Sequence, residues 1–300
     1  MTGIERLLGR SAVIAIPYGW HIVFFLIPFL LVVRLSFSDS VIGTPPYTEL
    51  FTWVDDTFLQ IRLNLGNYWM LLEDELYIAA YLESLTLAGI ATVICLIIGY
   101  PMAYGISRAS GKWRVTLLLL VILPFWTSFL LRVYAWIGIL NNQGLLNHLL
   151  LSLGIIDAPL PLINNNFAVV LGIVYSYLPF MVMPLYAALE KLDPSMLEAA
   201  YDLGCRPLRA FFTVTVPLSF RGVIAGSMLV FIPAVGEFVI PELLGGSDTL
   251  MIGKILWVEF FTNRDWPMAS ALAVALLVCL VLPIALLQKL ISRQGTQEEA

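Results

Sequence analysis

Apolar residues in this chain come in long unbroken runs instead of the three-to-four-residue alternation of a helix that faces water on one side. Uncharged stretches cover Ser11 to Val33, Ser84 to Ser107, Val115 to Leu131 (continuing past Arg132 to about Leu140), Phe167 to Leu189, Gly222 to Gly236, and Trp266 to Gln288. A helix needs about 20 apolar residues to cross roughly 30 Å of hydrocarbon. Each run is near or above that length except Gly222 to Gly236, whose helix must continue past Glu237 to span. The pattern predicts an all-α protein with six spans, read as a single transmembrane domain over residues 1–300 with an outer loop at 34–80 and a charged loop at 192–217.

Composition agrees with the pattern. At 60% hydrophobic and 12% charged residues, with a mean hydropathy of +0.89, the chain does not have the make-up of a water-soluble domain. The first apolar run is longer than a signal-peptide core and is followed by no small-residue cleavage site, so it reads as an uncleaved span. Lys and Arg are sided. Arg6, Arg10, Arg108, Lys112, Arg114, Lys191, Arg206, Arg209, Arg221, Lys289 and Arg293 fall on one side, and Arg34, Arg62, Lys254 and Arg264 on the other. The positive-inside rule then predicts that both termini and the loop at 192–217 are cytoplasmic. The outer loop is acidic, with Asp39, Glu49, Asp55, Asp56, Glu73, Asp74 and Glu75, and Leu65, Tyr68 and Trp69 are expected to form a small packed cap there.

Several chemistries are excluded. The net charge of -5 and the lack of a Lys/Arg stripe give no footprint for nucleic acid. Cys95, Cys205 and Cys279 are single and far apart, so they read as packing residues and suggest neither a disulfide framework nor a metal site. His21 is expected to pack in the first span and His148 to lie in an outer loop. The segment from Gly105 to Trp113 has one residue too many between its glycines for a phosphate-binding loop, and Trp113 stands where a Ser or Thr would hold magnesium. The expectation is a chain that binds no cofactor and is not an enzyme.

The loop at 192–217, LDPSMLEAAYDLGCRPLRAFFTVTVP, carries the strongest local signals. Asp193 and Pro194 form an N-cap followed by proline at the first helical position. Leu197, Ala200, Tyr201 and Gly204 share one helical face, while Ala199 and Ala200 are small enough for another surface to approach. Gly204 ends the helix, Pro207 opens a second one, and Pro217 breaks the chain before the next apolar run. The series Glu198-Ala199-Ala200, Gly204 and Val214-Thr215-Val216-Pro217 resembles the EAA loop of ABC importer permeases, with Val214 and Val216 where Ile and Leu are usual. By that resemblance Glu198, Ala199, Ala200, Asp202, Gly204 and Pro217 belong to a coupling helix that docks on an ATPase subunit. The fold expected is that of type I importers (MetI-like).

Polar residues inside the runs are few. Arg132 interrupts the third run beside Tyr134 and Trp136, and Glu237 and Glu242 sit late in the fifth. Intramembrane charge costs about 2.5 to 3.5 kcal/mol per residue on insertion scales, so such groups face protein or water. Arg132 and Glu237 either form an orienting ion pair or, with Glu242, belong to a transport path. Tyr175 and Tyr177 either stack on a passing cation or pack. The stretches at Gly99 to Tyr104, Leu123 to Trp136, Pro233 to Gly246 and Asn263 to Pro267 look like the polyamine branch of the same permeases, most of all the first permease subunit of putrescine importers. That resemblance implies a second permease subunit, two copies of an ATPase that carries the ATP and Mg, a periplasmic polyamine-binding protein, and a bacterial inner membrane. An ABC permease for an anion or iron, or an ion-coupled secondary transporter, remains open, although neither inverted repeats nor a midplane ion site is visible.

Overall fold

The structure, a computed structural model, describes residues 13–54 and 58–295. Arg6, Arg10, Asp55 and Asp56 lie outside the described residues, as do the side chains of Lys289 and Arg293. The chain runs as helix α1 (Val13–Ser36), strands β1 (Phe51–Val54) and β2 (Phe58–Ile61), then helices α2 (Gly66–Glu73), α3 (Glu75–Arg108), α4 (Gly111–Ile122), α5 (Phe129–Leu140), α6 (Leu145–Ser152) and α7 (Asn166–Glu190). It continues with α8 (Pro194–Asp202), α9 (Pro207–Leu218), α10 (Phe220–Val235), α11 (Val239–Leu244), α12 (Ile252–Trp257) and α13 (Trp266–Gly295).

The protein is helical, with one departure from the all-α expectation. β1 and β2 pair antiparallel, with Phe51 opposite Ile61 and Val54 opposite Phe58. Both strands are rich in the aromatic and β-branched residues that favour extended backbone, and both lie in the outer loop, where no long helix competes for them.

The described residues give three to five candidate spans against the six predicted. α1, α3 and α7 are long and apolar enough alone, and two bent helix pairs bring the number to five. α13 is apolar over Trp266–Leu282. The third run is not one continuous helix, because residues 111–126 and 129–152 meet at 89°. Pro124 sits in a 3-10 turn over Leu123–Trp126, Thr127 is extended at φ -94 and ψ 151, and its hydroxyl donates to the Pro124 carbonyl at 2.7 Å.

The fifth run also stops short, since α10 ends at Val235, capped by Gly236, and does not pass Glu237. Pro217 is not the break expected of it. A π-turn over Phe211–Thr215 precedes it within α9, and the bend of 65° falls later, at Ser219. The wider turn accommodates a proline that has no N–H to give.

Two compact units divide the chain, 1–78 with 255–300, and 79–254. In the first, α13 packs along α1, and the Trp266 ring meets Tyr47 at 6.1 Å and stacks on Phe260 at 5.3 Å. The buried Glu259 accepts from the Tyr77 hydroxyl at 3.0 Å and from Asn263 Nδ2 at 2.9 Å. Of the three residues expected to cap the outer loop only Tyr68 does so, its ring 5.3 Å from Phe37 and its hydroxyl donating to Ser36 at 2.7 Å. Leu65 and Trp69 are exposed, because α2 is short and turns only one face inward. His21 is exposed, with Nδ1 2.7 Å from the Pro17 carbonyl oxygen, so it does not pack as expected.

In the second unit α7 is the central helix, with Ile173, Met181, Val182 and Leu185 fully buried. α10 lies against it through Gly222 and Gly226. A Cβ at Gly222 would come 2.6 Å from the Ala188 Cβ, and one at Gly226 would come 2.8 Å from the Met181 Sδ, so only glycine permits this approach. That is the small-xxx-small spacing by which helices draw close where lipid gives no hydrophobic drive. The Tyr100 hydroxyl and Ser219 Oγ, buried and 2.7 Å apart, tie α3 to the bend between α9 and α10. Cys95 is buried as a packing residue, but Cys205 is only partly buried and Cys279 is exposed.

Candidate functional site

Local chemistry builds the loop at 192–217 as its sequence suggests. The Asp193 carboxylate accepts from the Ser195 backbone N–H at 2.9 Å, which holds its pKa below the usual carboxylate value. α8 starts there and ends in a Schellman turn. Gly204 takes the left-handed conformation at φ +80, the Cys205 N–H donates to the Ala200 carbonyl at 3.0 Å, and the Gly204 N–H donates to the Tyr201 carbonyl at 2.8 Å. The face expected to act as one does not, because Leu197 turns inward while Tyr201 and Gly204 stay exposed. Glu198, Ala199 and Asp202 are exposed too. Beside them stand Met196, Leu203 and Leu208, the last two 89% and 76% exposed. Arg114 pairs with Glu190 at 3.0 Å and also donates to the Ser107 carbonyl at 3.2 Å, fixing the start of α4 to the end of α7.

The membrane candidates separate into small groups. Tyr134 and Glu242 line one cavity of about 290 Å³ with Leu130, Phe238, Val239 and Leu243. The Glu242 carboxylate is met by Lys254, Nζ to Oε2 at 3.4 Å. Exposed pairs of this kind contribute about 0 to 1 kcal/mol, and this one is longer than the roughly 2.8 Å of a tight charge-assisted bond. Trp136 and Tyr175 meet edge to face at 5.5 Å.

Glu237 does not pair with Arg132. Its Oε1 accepts from the N–H groups of Phe238, Val239 and Ile240 at 3.2, 3.1 and 3.4 Å, and its Oε2 accepts from the Tyr177 hydroxyl. A buried carboxylate surrounded by donors needs no cation, and here it starts α11 where α10 stops. The Arg132 guanidinium carbon lies 5.4 Å from the Phe125 ring centroid and 5.7 Å from that of Phe129. Among the described residues, its buried Nε and Nη1 have no hydrogen-bond acceptor.

Lys254 and Glu83 were not singled out from the sequence. Glu83 accepts from Asn166 Nδ2 at 3.0 Å and from the Leu250 N–H at 3.1 Å, and Ser84 Oγ accepts from the Ile252 N–H at 2.7 Å. These contacts join α3 to the start of α7 and to the segment that enters α12, and no spacing in the sequence announces them.

The family model described as a binding-protein-dependent transport system inner membrane component matches residues 96–294. This chain belongs to that family. It is therefore an inner-membrane transport component and not an enzyme, as the EAA-like loop leads one to expect. A spermidine/putrescine transport system permease protein, PotB, from Haemophilus influenzae is 42% identical over 275 residues, covering 92% of this chain and 91% of that protein. Among solved structures, a bacterial ABC transporter involved in import of the acidic polysaccharide alginate matches with a TM-score of 0.68 at 16% identity, covering 97% of each chain. The MetNI methionine ABC transporter matches with a TM-score of 0.51 at 17% identity, covering 77% of this chain and 97% of that one. At these identities the two structures speak for the fold alone, which is that of ABC importer permeases.

Proposed function

We propose that this permease moves polyamines inward across the bacterial inner membrane, delivered by a periplasmic polyamine-binding protein and driven by ATP hydrolysis on a partner. The observation that carries the substrate is that Glu242, half exposed, and Tyr134 line one cavity. A primary amine titrates near pH 10.4, so a diamine is a dication at neutral pH. Leaving water, it needs a carboxylate to meet its charge and is further held by an aromatic face. Similarity to PotB over most of the chain supports the same substrate class.

In this reading the bent pair at 111–126 and 129–152 is one broken span, and α13 is the last of six. The N- and C-termini and α8 are cytoplasmic. The permease pairs with a second permease subunit and with two copies of an ATPase, which binds the ATP and Mg that this chain does not. Met196, Leu203 and Leu208, apolar and exposed on a loop outside the long helices, form the kind of patch that marks a protein interface. Glu198 and Asp202 flank it. ATP-driven closure of the ATPase pair moves α8, and the break at Ser219 passes that movement to α10. A cysteine placed at Asp202 is expected to react with a membrane-impermeant maleimide only in inside-out vesicles. Reaction in intact spheroplasts would reverse the assigned orientation.

Glu242→Gln keeps the shape and removes the charge. It is expected to lower radiolabelled putrescine or spermidine uptake about tenfold per molecule in the membrane, the scale of one charge-assisted contact at roughly 1.4 kcal/mol per tenfold. Unchanged uptake would remove Glu242 from the path. Glu237→Ala supplies the contrast. It strips the α11 amides and Tyr177 of their acceptor and should reduce the amount of folded protein more than the transport per molecule. Glutamine at 237 retains an oxygen for those amides and should be milder.

A further inference from the structure

We infer that Lys254 is a tethered stand-in for the substrate: its ammonium occupies the Glu242 carboxylate while the path is empty, and a substrate ammonium must displace it to enter. The inference rests on the polyamine reading above and adds to it a built-in competitor that sets which cations can pass.

The first support is chemical identity. A lysine side chain ends in the primary ammonium that also terminates a polyamine, so both make the same demands on a carboxylate. The second is the looseness of the contact. Nζ lies 3.4 Å from Oε2, and the Lys254 and Glu242 side chains are 26% and 50% exposed. The other ion pair among the described residues, Arg114 with Glu190 at 3.0 Å, has a further hydrogen bond to the Ser107 carbonyl and is built to stay closed. Among the described residues, the Lys254 ammonium has no such second hold.

The third support is the mounting of the side chain. α12 opens at Ile252, whose N–H is held by Ser84 Oγ at 2.7 Å, and the Leu250 N–H just before it is held by Glu83 at 3.1 Å. Gly253 packs so tightly that a Cβ there would lie 2.5 Å from the carbonyl oxygens of both Gly236 and Glu237. The backbone of Lys254 is thus fixed against the segment that leads into α11, while four methylene carbons carry its charge to the Glu242 carboxylate. An anchored backbone with a flexible arm keeps the ammonium at an effective concentration of order mM beside Glu242.

Such a competitor selects by number of charges. A lone monovalent cation gains only the contact that Lys254 gives up. A di- or polyamine replaces the tethered ammonium with one end and gains further contact with the other, for which the Tyr134 face is available. The displaced lysine swings away without leaving the site, so the carboxylate is neutralised again once substrate has gone.

The test uses membranes holding the whole transporter with its partner subunits, and measures filter-retained radiolabelled putrescine and spermidine without ATP, then ATP-driven uptake. Lys254→Met, which keeps the stem and removes the charge, should tighten binding about tenfold and admit methylammonium as a competitor that wild type ignores. Lys254→Arg, whose planar fork can hold the carboxylate bidentately, should weaken binding several-fold. Adding Glu242→Gln to wild type and to the Lys254→Met variant should abolish the difference between them. Immunoblot of membrane protein normalises each variant, and Lys254→Gln serves if the methionine variant does not accumulate. If wild type takes up polyamine but Lys254→Met binds it no more tightly, or loses binding as Glu242→Gln does, the stand-in role is overturned and the polyamine reading survives. If wild type neither binds nor imports polyamine, both fall.

Discussion

Replacing Gly204 by valine is expected to lower ATP-driven import by roughly tenfold or more while leaving the chain in the membrane. Gly204 is exposed at φ +80, with nothing within 4 Å of the place a Cβ would occupy, so the variant meets no clash and suffers only in its backbone. A β-branched residue held in the left-handed region costs on the order of 1 to 3 kcal/mol. The loop escapes that cost by opening the Schellman turn, which frees the bonds from Cys205 to Ala200 and from Gly204 to Tyr201. The end of α8 then loses its direction. Alanine should be intermediate and asparagine, which tolerates this region, the mildest. Substrate uptake and ATP hydrolysis measured together decide the matter. Full coupling in the valine variant would mean that the geometry of this loop does not transmit force.

Gly222→Leu should have the larger effect on the protein itself. Its side chain would have to occupy space already held by the Ala188 Cβ at 2.6 Å and the Pro184 carbonyl oxygen at 3.0 Å. Overpacking usually costs about 1 to 3 kcal/mol, and more where backbone is in the way. The α7–α10 contact should fail, and the yield of monodisperse protein on fluorescence-detected gel filtration of a tagged transporter should fall about tenfold. Gly222→Ala should be milder, and pairing it with Ala188→Gly should recover part of the loss, since the two positions share one contact. A normal yield for the leucine variant would show that α10 does not depend on this approach.

What could be read from the chain beforehand was what depends on neighbours in sequence. Asp193, Pro194 and Gly204 act within a few residues of themselves, and α8 begins and ends where they place it. The family was legible in the same loop. What failed depended on distant partners. Arg132 and Glu237 look like a pair because they are opposite charges in apolar runs, yet Glu237 is satisfied by three amides of its own segment and by Tyr177. Lys254 looked like one outer-loop charge among others, and nothing in its spacing from Glu242 signals that α11 and α12 bring the two together. Pro217, expected to break the chain, does not, and the bend falls at Ser219. Pro124 precedes a right-angled break, whereas Pro217 follows a π-turn and stays within α9. The hairpin was missed because two four-residue strands are too short to stand out in a loop. The Gly222 and Gly226 spacing is visible in the sequence, but nothing in it names Ala188 and Met181 as the partners.

The packing of α1 along α13 has a consequence for biosynthesis. α1 is made before residues 79–254 and its partner α13 after them. Residues 79–254 form a contiguous stretch that can assemble while translation proceeds, domain-wise and from the N-terminal side. α1 must wait through all of it with its apolar surface facing lipid, and its lasting neighbour arrives only after the largest loop closure in the chain, an entropic cost that grows slowly with length. A nonsense codon or ribosomal stall before α13 therefore leaves α1 without its partner, and it makes the first helix, although synthesised long before the damage, the part of a truncated chain that quality-control proteases meet undocked.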